Sequence, residues 1–108
     1  RKISVTLSQK GGLIVAEERA LEQKLVKAVK AKGGLALKFV SPNYAGVPDR
    51  LILIAYGHIG FVEVKALNQK PRKLQEARIR KLRQMGFKVF VLDKESQIGG
   101  ILNDIQSA

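Results

Sequence analysis

Cysteine is absent from the 108 residues, which removes a disulfide framework, a thiolate zinc site and a cysteine nucleophile together. A single histidine, His58, is too few for a His-rich metal site and argues against a Ser-His-Asp triad. No apolar run approaches the ~20 residues a helix needs to cross a bilayer. No charged-then-apolar leader opens the sequence. The expectation is therefore a cytoplasmic protein, neither secreted nor bound to a membrane. Acids are scarce as well: nine Asp and Glu stand against 20 Lys and Arg, a formal charge of +11. Such an excess on a small chain predicts attraction to a polyanion.

What is present suffices for one compact domain over residues 1–108. The chain is 45% hydrophobic, enough to bury an interior, and it has no internal repeat or dividing linker. The positive charge is clustered. Residues 24–38 hold five lysines and no acid, and residues 65–83 hold eight basic residues and one acid, Glu76. Clustering favours a binding face over a generally solubilising surface.

Residues 1–12 read as an extended basic lead-in ending at Gly11-Gly12. Leu13 to Lys32 is helical in pattern, with Leu21, Leu25, Ala28 and Val29 on one stripe, and Gly33-Gly34 stops it. Leu35 to Val40 is a short strand, and residues 41–48 (SPNYAGVP) form a loop. Arg50 to Tyr56 suits a central strand buried on both faces. Gly57 to Gly60 reads as a hairpin turn, Phe61 to Ala66 as the returning strand. Lys70 to Met85 is a second helix with Pro71 in its first turn and Gly86 after its end; its core stripe is Leu74, Ala77, Leu82 and Met85, with Gln75 beside Leu82. Phe87 to Leu92 is a last strand, and Ser96 to Ile105 a weak final helix. The order α-β-β-β-α-β predicts an α/β domain with a mixed central sheet flanked by helices.

The informative residues are charges set in apolar strands. Alternation puts Phe61, Glu63 and Lys65 on one strand face, and Val62 and Val64 on the other. An isolated E-x-K is ordinarily a solvent-facing edge strand with a cross-strand ion pair. Asp49 changes that balance, because the hairpin sets it near Glu63 and Lys65. Two carboxylates and a lysine at one sheet end suit a hard divalent cation bound through oxygen. Glu18 falls within the apolar stripe of the first helix and Glu22 at its edge, so either could point into the same site. In the second helix Arg72, Lys73, Arg80 and Arg83 lie opposite the apolar stripe, available to phosphates.

At G-V-P-D-R (Gly46 to Arg50), followed thirteen residues later by E-V-K (Glu63 to Lys65), the sequence resembles the PD-(D/E)XK nuclease superfamily. The Leu-Glu-Gln-Lys-Leu helix before Gly-Gly, the Lys-Phe-Val strand and Leu74-Gln75 narrow this to a stand-alone VRR-Nuc domain of the kind found in phages, over residues 17–95. The resemblance implies a restriction-endonuclease-like core. It implies that Asp49 and Glu63, helped by the Val64 carbonyl, ligate Mg²⁺ or Mn²⁺, and that Lys65 positions the attacking water and steadies phosphate charge. Glu22 is the better match for the family's helix glutamate and Glu18 the alternative. Lys38 and Gln75 match supporting positions at phosphate or in the site, and Lys70 joins Arg72, Lys73, Arg80 and Arg83 as a DNA contact. The implied activity is structure-selective DNA cleavage by a homodimer on four-way (Holliday) junctions in a phage-infected bacterial cell. Leu13-Ile14-Val15 and the segment Ile98 to Ile105 are the apolar surfaces expected to serve dimer contact. A flap or nicking nuclease of phage DNA processing, or a non-catalytic nucleic-acid-binding domain of the same fold, are the alternatives.

Overall fold

The computed structural model describes residues 7–107. Its elements are α1 (Leu7–Ala31), β1 (Leu35–Lys38), β2 (Arg50–Ile54), β3 (His58–Val64), α2 (Lys73–Gln84), β4 (Lys88–Leu92), a single 3₁₀ turn (Glu95–Gln97) and α3 (Ile98–Gln106). The four strands form one sheet in the order β1-β2-β3-β4. β1 and β2 are antiparallel, as are β2 and β3, whereas β4 lies parallel to β3. A parallel neighbour needs a crossover, and α2 provides it.

Strand alternation sorts the apolar residues onto two faces. Ile52, Ile54, Val62, Val64 and Leu92 are buried on one, against Leu21, Leu25 and Val29 of α1 and Ile98, Ile101, Leu102 and Ile105 of α3. On the other face Phe61 and Val89 pack with Ile79 of α2. Phe61 anchors that smaller cluster through ring contacts to Phe39 at 5.5 Å and Phe87 at 5.8 Å. α3 lies close against β3 because Gly60 has no side chain; a Cβ there would sit 2.5 Å from Ile105 Cγ1. α1 ends in a Schellman cap: Gly33 takes φ 73°, and the Gly34 and Gly33 amides donate to the Val29 and Lys30 carbonyls at 3.0 and 2.9 Å.

Several boundaries differ from the sequence expectation. Helix α1 already runs through residues 7–12, expected as extended lead-in; residues 1–6 lie outside the described residues. A helix tolerates two glycines at a cost of about 1 kcal/mol each, so Gly11-Gly12 weakens α1 without breaking it. The hairpin turn falls at residues 55–57, and His58 to Gly60, expected as turn, pair with β2. β2 is not buried on both faces. Its Leu51 and Leu53 are only half-buried, because α2 covers the β3–β4 half of the sheet. β3 is an interior strand between β2 and β4, not an edge. Pro71 precedes α2, and its N-cap is Arg72. The expected α2 stripe is rotated: Leu74 and Met85 are 47% and 60% exposed, and Ile79 is the buried residue. The last helix is no weak appendage. Ile98, Ile101, Leu102 and Ile105 lie in the main core of their own chain and are unavailable as the expected dimer surface.

Candidate active site

The site forms where β2 begins and β3 ends. Antiparallel register pairs Arg50 with Val62, so Asp49 lies across from Glu63 and Pro48 from Val64. Val64 should exchange two ladder hydrogen bonds with its opposite residue. Proline has no N–H, so Pro48 donates nothing to the Val64 carbonyl. The Val64 N–H turns instead to the Asp49 carboxylate, donating to Oδ2 at 2.9 Å. The N–H and C=O of one strand residue point to the same side, which directs the Val64 carbonyl toward Asp49 as well. Pro48 thus interrupts the ladder at the level of the acids.

Glu63 is 1% exposed, the one buried charged residue among those described. Burying a carboxylate unpaired costs several kcal/mol. Glu63 Oε2 is compensated: it accepts from Gln75 Nε2 at 2.9 Å and lies 3.4 Å from Lys65 Nζ. Oε1 is buried without any hydrogen-bond partner. Burial, reinforced by the nearby Asp49 charge and opposed by Lys65, pushes the Glu63 carboxyl up to about 7. Burial likewise raises Asp49, against the Val64 N–H that holds it down, and the charges of Glu22 and Glu18 push the same way as burial. Two neighbouring acids, both disfavoured as anions, are a charge arrangement awaiting a cation.

Gln75, in the first turn of α2, uses both ends of its amide. While Nε2 holds Glu63, Oε1 accepts from the Arg72 N–H at 2.8 Å, satisfying an amide that the helix start leaves free. The two α1 glutamates separate in function. Glu18 Oε2 accepts from the Ala66 N–H at 3.2 Å, just past Lys65. Glu22 Oε2 pairs with Arg50 Nε at 2.6 Å, and Arg50 Nη1 donates to the Ala36 carbonyl at 3.0 Å. An open cleft of about 380 Å³ lies between α1 and the β1–β2 edge, lined by Glu18, Arg19, Glu22, Lys38 and Arg50 among others.

The structure therefore brings together Asp49, Glu63, Val64, Lys65 and Gln75, with Glu18 and Glu22 alongside. The residues expected to meet DNA, Lys38, Lys70, Arg72, Lys73, Arg80 and Arg83, are all exposed. Arg83 is not free in the way expected: its Nε and Nη2 donate to the Val89 carbonyl at 3.1 and 2.7 Å, so the guanidinium is folded back on β4. Arg50 had no expected role, although a cation opening an apolar strand, aligned by alternation with Ile52 and Ile54, is a legible signal. Arg78 had none either. That side chain donates to the Ala45 carbonyl at 2.8 Å and stacks 3.7 Å from the Tyr44 ring centroid, fixing the loop that leads to Asp49.

Among the described residues, no group of three or more His, Asp or Glu side chains could hold a metal by themselves. That fits a Mg²⁺-like ion, which is commonly held by one or two carboxylates and completed by water and substrate phosphate. The orphaned Glu63 oxygen, the Asp49 carboxylate and the ladder-free Val64 carbonyl are hard oxygen donors of the right kind.

A mixed sheet of this order, with acids at the mouth of its central hairpin and a lysine two residues after the second, defines a nuclease core. Residues 6–95 match the VRR-NUC domain family. A solved VRR-NUC domain superposes with a TM-score of 0.76 at 31% identity, covering 81% of this chain and 95% of that one. The candidate nuclease p44 of Acyrthosiphon pisum secondary endosymbiont phage 1 is 45% identical over 78 residues, 72% of this chain and 84% of its own length. The chain belongs to the VRR-NUC domain family.

Proposed function

We propose that this domain is a metal-dependent DNA endonuclease that hydrolyses phosphodiester bonds at a centre built from Asp49, Glu63, Val64, Lys65 and Gln75. The observation that carries the reading is Glu63, a carboxylate buried to 1% exposure with one oxygen unpaired beside a second acid. A domain that only bound DNA would gain nothing from two carboxylates next to phosphate. Asp49, Glu63 and the Val64 carbonyl hold Mg²⁺ or Mn²⁺. Bound there, such an ion supplies Lewis-acid stabilisation and lowers the pKa of a water. Lys65, 3.4 Å from Glu63, orients the attacking water and steadies the negative charge growing on the phosphoryl oxygens. Gln75 keeps Glu63 Oε2 occupied, so that Oε1 faces the reaction.

The substrate is branched DNA, with a four-way junction preferred, and the working form is a homodimer. Two centres related by a two-fold axis suit paired cuts on a near-symmetric junction. Support for a dimer comes from the sheet face that α2 leaves bare, where Leu35, Leu37 and Ile59 are 56%, 42% and 41% exposed. The exposed lysines and arginines would give salt-sensitive, shape-directed binding without base readout.

The test is cleavage of labelled four-way junction, flap and linear duplex in Mg²⁺ or Mn²⁺, with wild type run beside Asp49→Asn and Glu63→Gln. Paired symmetric nicks on the junction, lost in both variants while binding persists or tightens, are expected. Cleavage of flap or duplex instead keeps the nuclease and discards the resolvase. Wild-type activity undiminished in Asp49→Asn would falsify the metal assignment. Tight binding with no cleavage of any substrate leaves a non-catalytic binding domain. Sedimentation of the protein at micromolar concentration tests the dimer directly.

A further inference from the structure

The cleft between α1 and the β1–β2 edge carries an arrangement that metal binding does not use. Lys38 and Arg50 are direct cross-strand partners, so their side chains rise side by side from one face. Like charges directly opposite each other in an antiparallel pair are unfavourable. Only one carboxylate answers them. Glu22 takes Arg50 Nε at 2.6 Å, whereas Lys38 has no carboxylate within salt-bridge distance among the described residues. Arg50 is largely buried, with its side chain 17% exposed. Of its five guanidinium donors, Nε goes to Glu22 and Nη1 to the Ala36 carbonyl, while Nη2 has no protein acceptor among the described residues. Both cations line the cleft, joined by Arg19. Glu18 also lines it, but one of its oxygens already accepts the Ala66 N–H.

We propose that Arg50 and Lys38, with Glu22 as the carboxylate that aims Arg50, form a subsite for the DNA backbone phosphate next to the one being cut. A guanidinium clamped at Nε and Nη1 cannot swing, so its free donors have a fixed direction, the condition for specific phosphate recognition. The subsite adjoins the reaction centre because the cleft shares its glutamates with it: Glu18, which lines the cleft, accepts the Ala66 N–H just past Lys65, and Glu22 lies close enough for its charge to act on Asp49. A phosphate there relieves the Lys38–Arg50 repulsion and fixes the strand's register against Asp49 and Glu63. Glu22 is then a positioning residue for substrate rather than a metal ligand.

This inference rests on the endonuclease reading, and a phosphate-by-phosphate measurement separates the two. Single neutral methylphosphonates are placed at each position around the cut, and each DNA is assayed with wild type, Arg50→Lys, Lys38→Met and Glu22→Gln. For wild type, neutralising one phosphate adjacent to the cut should lower kcat/KM roughly tenfold or more, the scale of one charge-assisted hydrogen bond. Arg50→Lys and Lys38→Met should lower activity on unmodified DNA and be largely indifferent to that one substitution. Glu22→Gln should raise KM and share the indifference, with an unchanged dependence on metal concentration. Lys38 is exposed, so its variant folds even if changes at Arg50 do not. Sensitivity at the same phosphate in Arg50→Lys and Lys38→Met as in wild type would overturn the subsite, as would a wild type that responds at no adjacent phosphate. A Glu22→Gln enzyme that needs much more metal would overturn the positioning role. Should wild type cleave nothing, the endonuclease reading fails, while fluorescence anisotropy in EDTA with single methylphosphonates along the whole DNA still decides whether Arg50 and Lys38 hold a phosphate: one position should weaken wild-type binding and leave Lys38→Met unmoved.

Discussion

Gln75 donates from Nε2 to Glu63 Oε2 across 2.9 Å, tying the first turn of α2 to the buried acid at the end of β3. The same side chain accepts the Arg72 N–H, so the orientation of Glu63 and the start of α2 are set by one amide. Gln75→Ala should therefore lower cleavage about 10- to 100-fold, the usual scale for groups that orient metal ligands, and weaken the apparent affinity for Mg²⁺ or Mn²⁺. Metal titrations of the cleavage rate check this. An unchanged metal dependence would mean that Glu63 holds its place unaided.

The metal-free protein should lose stability as pH rises from about 4.5 to about 7. The Glu63 carboxyl sits near 4.5 in an unfolded chain and is raised to about 7 in the folded one. Between those values the folded state keeps a proton that the unfolded chain has released, so rising pH favours unfolding. The contribution is fully present below pH 4.5, is lost through pH 7, and amounts to something on the order of 3 kcal/mol. Thermal melting in EDTA, wild type against Glu63→Gln, isolates it. The variant should be the more stable protein at pH 8, with the gap closing toward pH 4.5. Parallel pH profiles would show that Glu63 titrates normally.

Tyr56 sits at the β2–β3 turn with φ 70° and is 97% exposed. A non-glycine residue in the left-handed region costs roughly 1–2 kcal/mol, and asparagine and glycine tolerate it best. Tyr56→Asn or Tyr56→Gly should raise stability by about 1 kcal/mol, read as a shift of several degrees in Tm. A lower Tm in both would mean that the ring makes a contact worth more than the strain.

Lysines and arginines along α2 should divide into two kinds. Lys73 is exposed at the helix start, and Lys73→Ala should reduce the slope of log K against log salt for DNA binding by about one. Arg83 holds the Val89 carbonyl, so Arg83→Ala should act mainly on thermal stability and leave the salt slope nearly unchanged. A salt slope altered equally by both would place Arg83 on the DNA.

Much of this arrangement was legible because alternation and turn chemistry are local. The α-β-β-β-α-β order, the Leu21–Leu25–Val29 stripe and the meeting of Asp49 with Glu63 and Lys65 follow from spacing alone. The orientation of α2 did not, since which side of a short amphipathic helix is buried depends on the partner. Phe61 and Val89 select Ile79, and Gln75 is drawn in by Glu63, leaving Leu74 and Met85 outside. The fate of α3 was equally hidden. A nine-residue helix with two glycines reads as marginal, yet Gly60 clears room for Ile105 and makes it a wall of the core. For Arg83 the sequence shows only a charge, when what matters is the Val89 carbonyl that already occupies it.

The crossover that makes β4 parallel to β3 leaves the chain no choice but to turn back above Glu63 immediately after Lys65. Asp49, Glu63, Lys65 and Gln75 therefore lie within 27 consecutive residues, one hairpin and one helical turn, and helix α1 contributes only from outside. Such a centre is a portable cassette. Changes in α1, in the loop before Asp49 or on the bare sheet face can redirect which nucleic acid is presented, while the segment that performs the chemistry stays untouched.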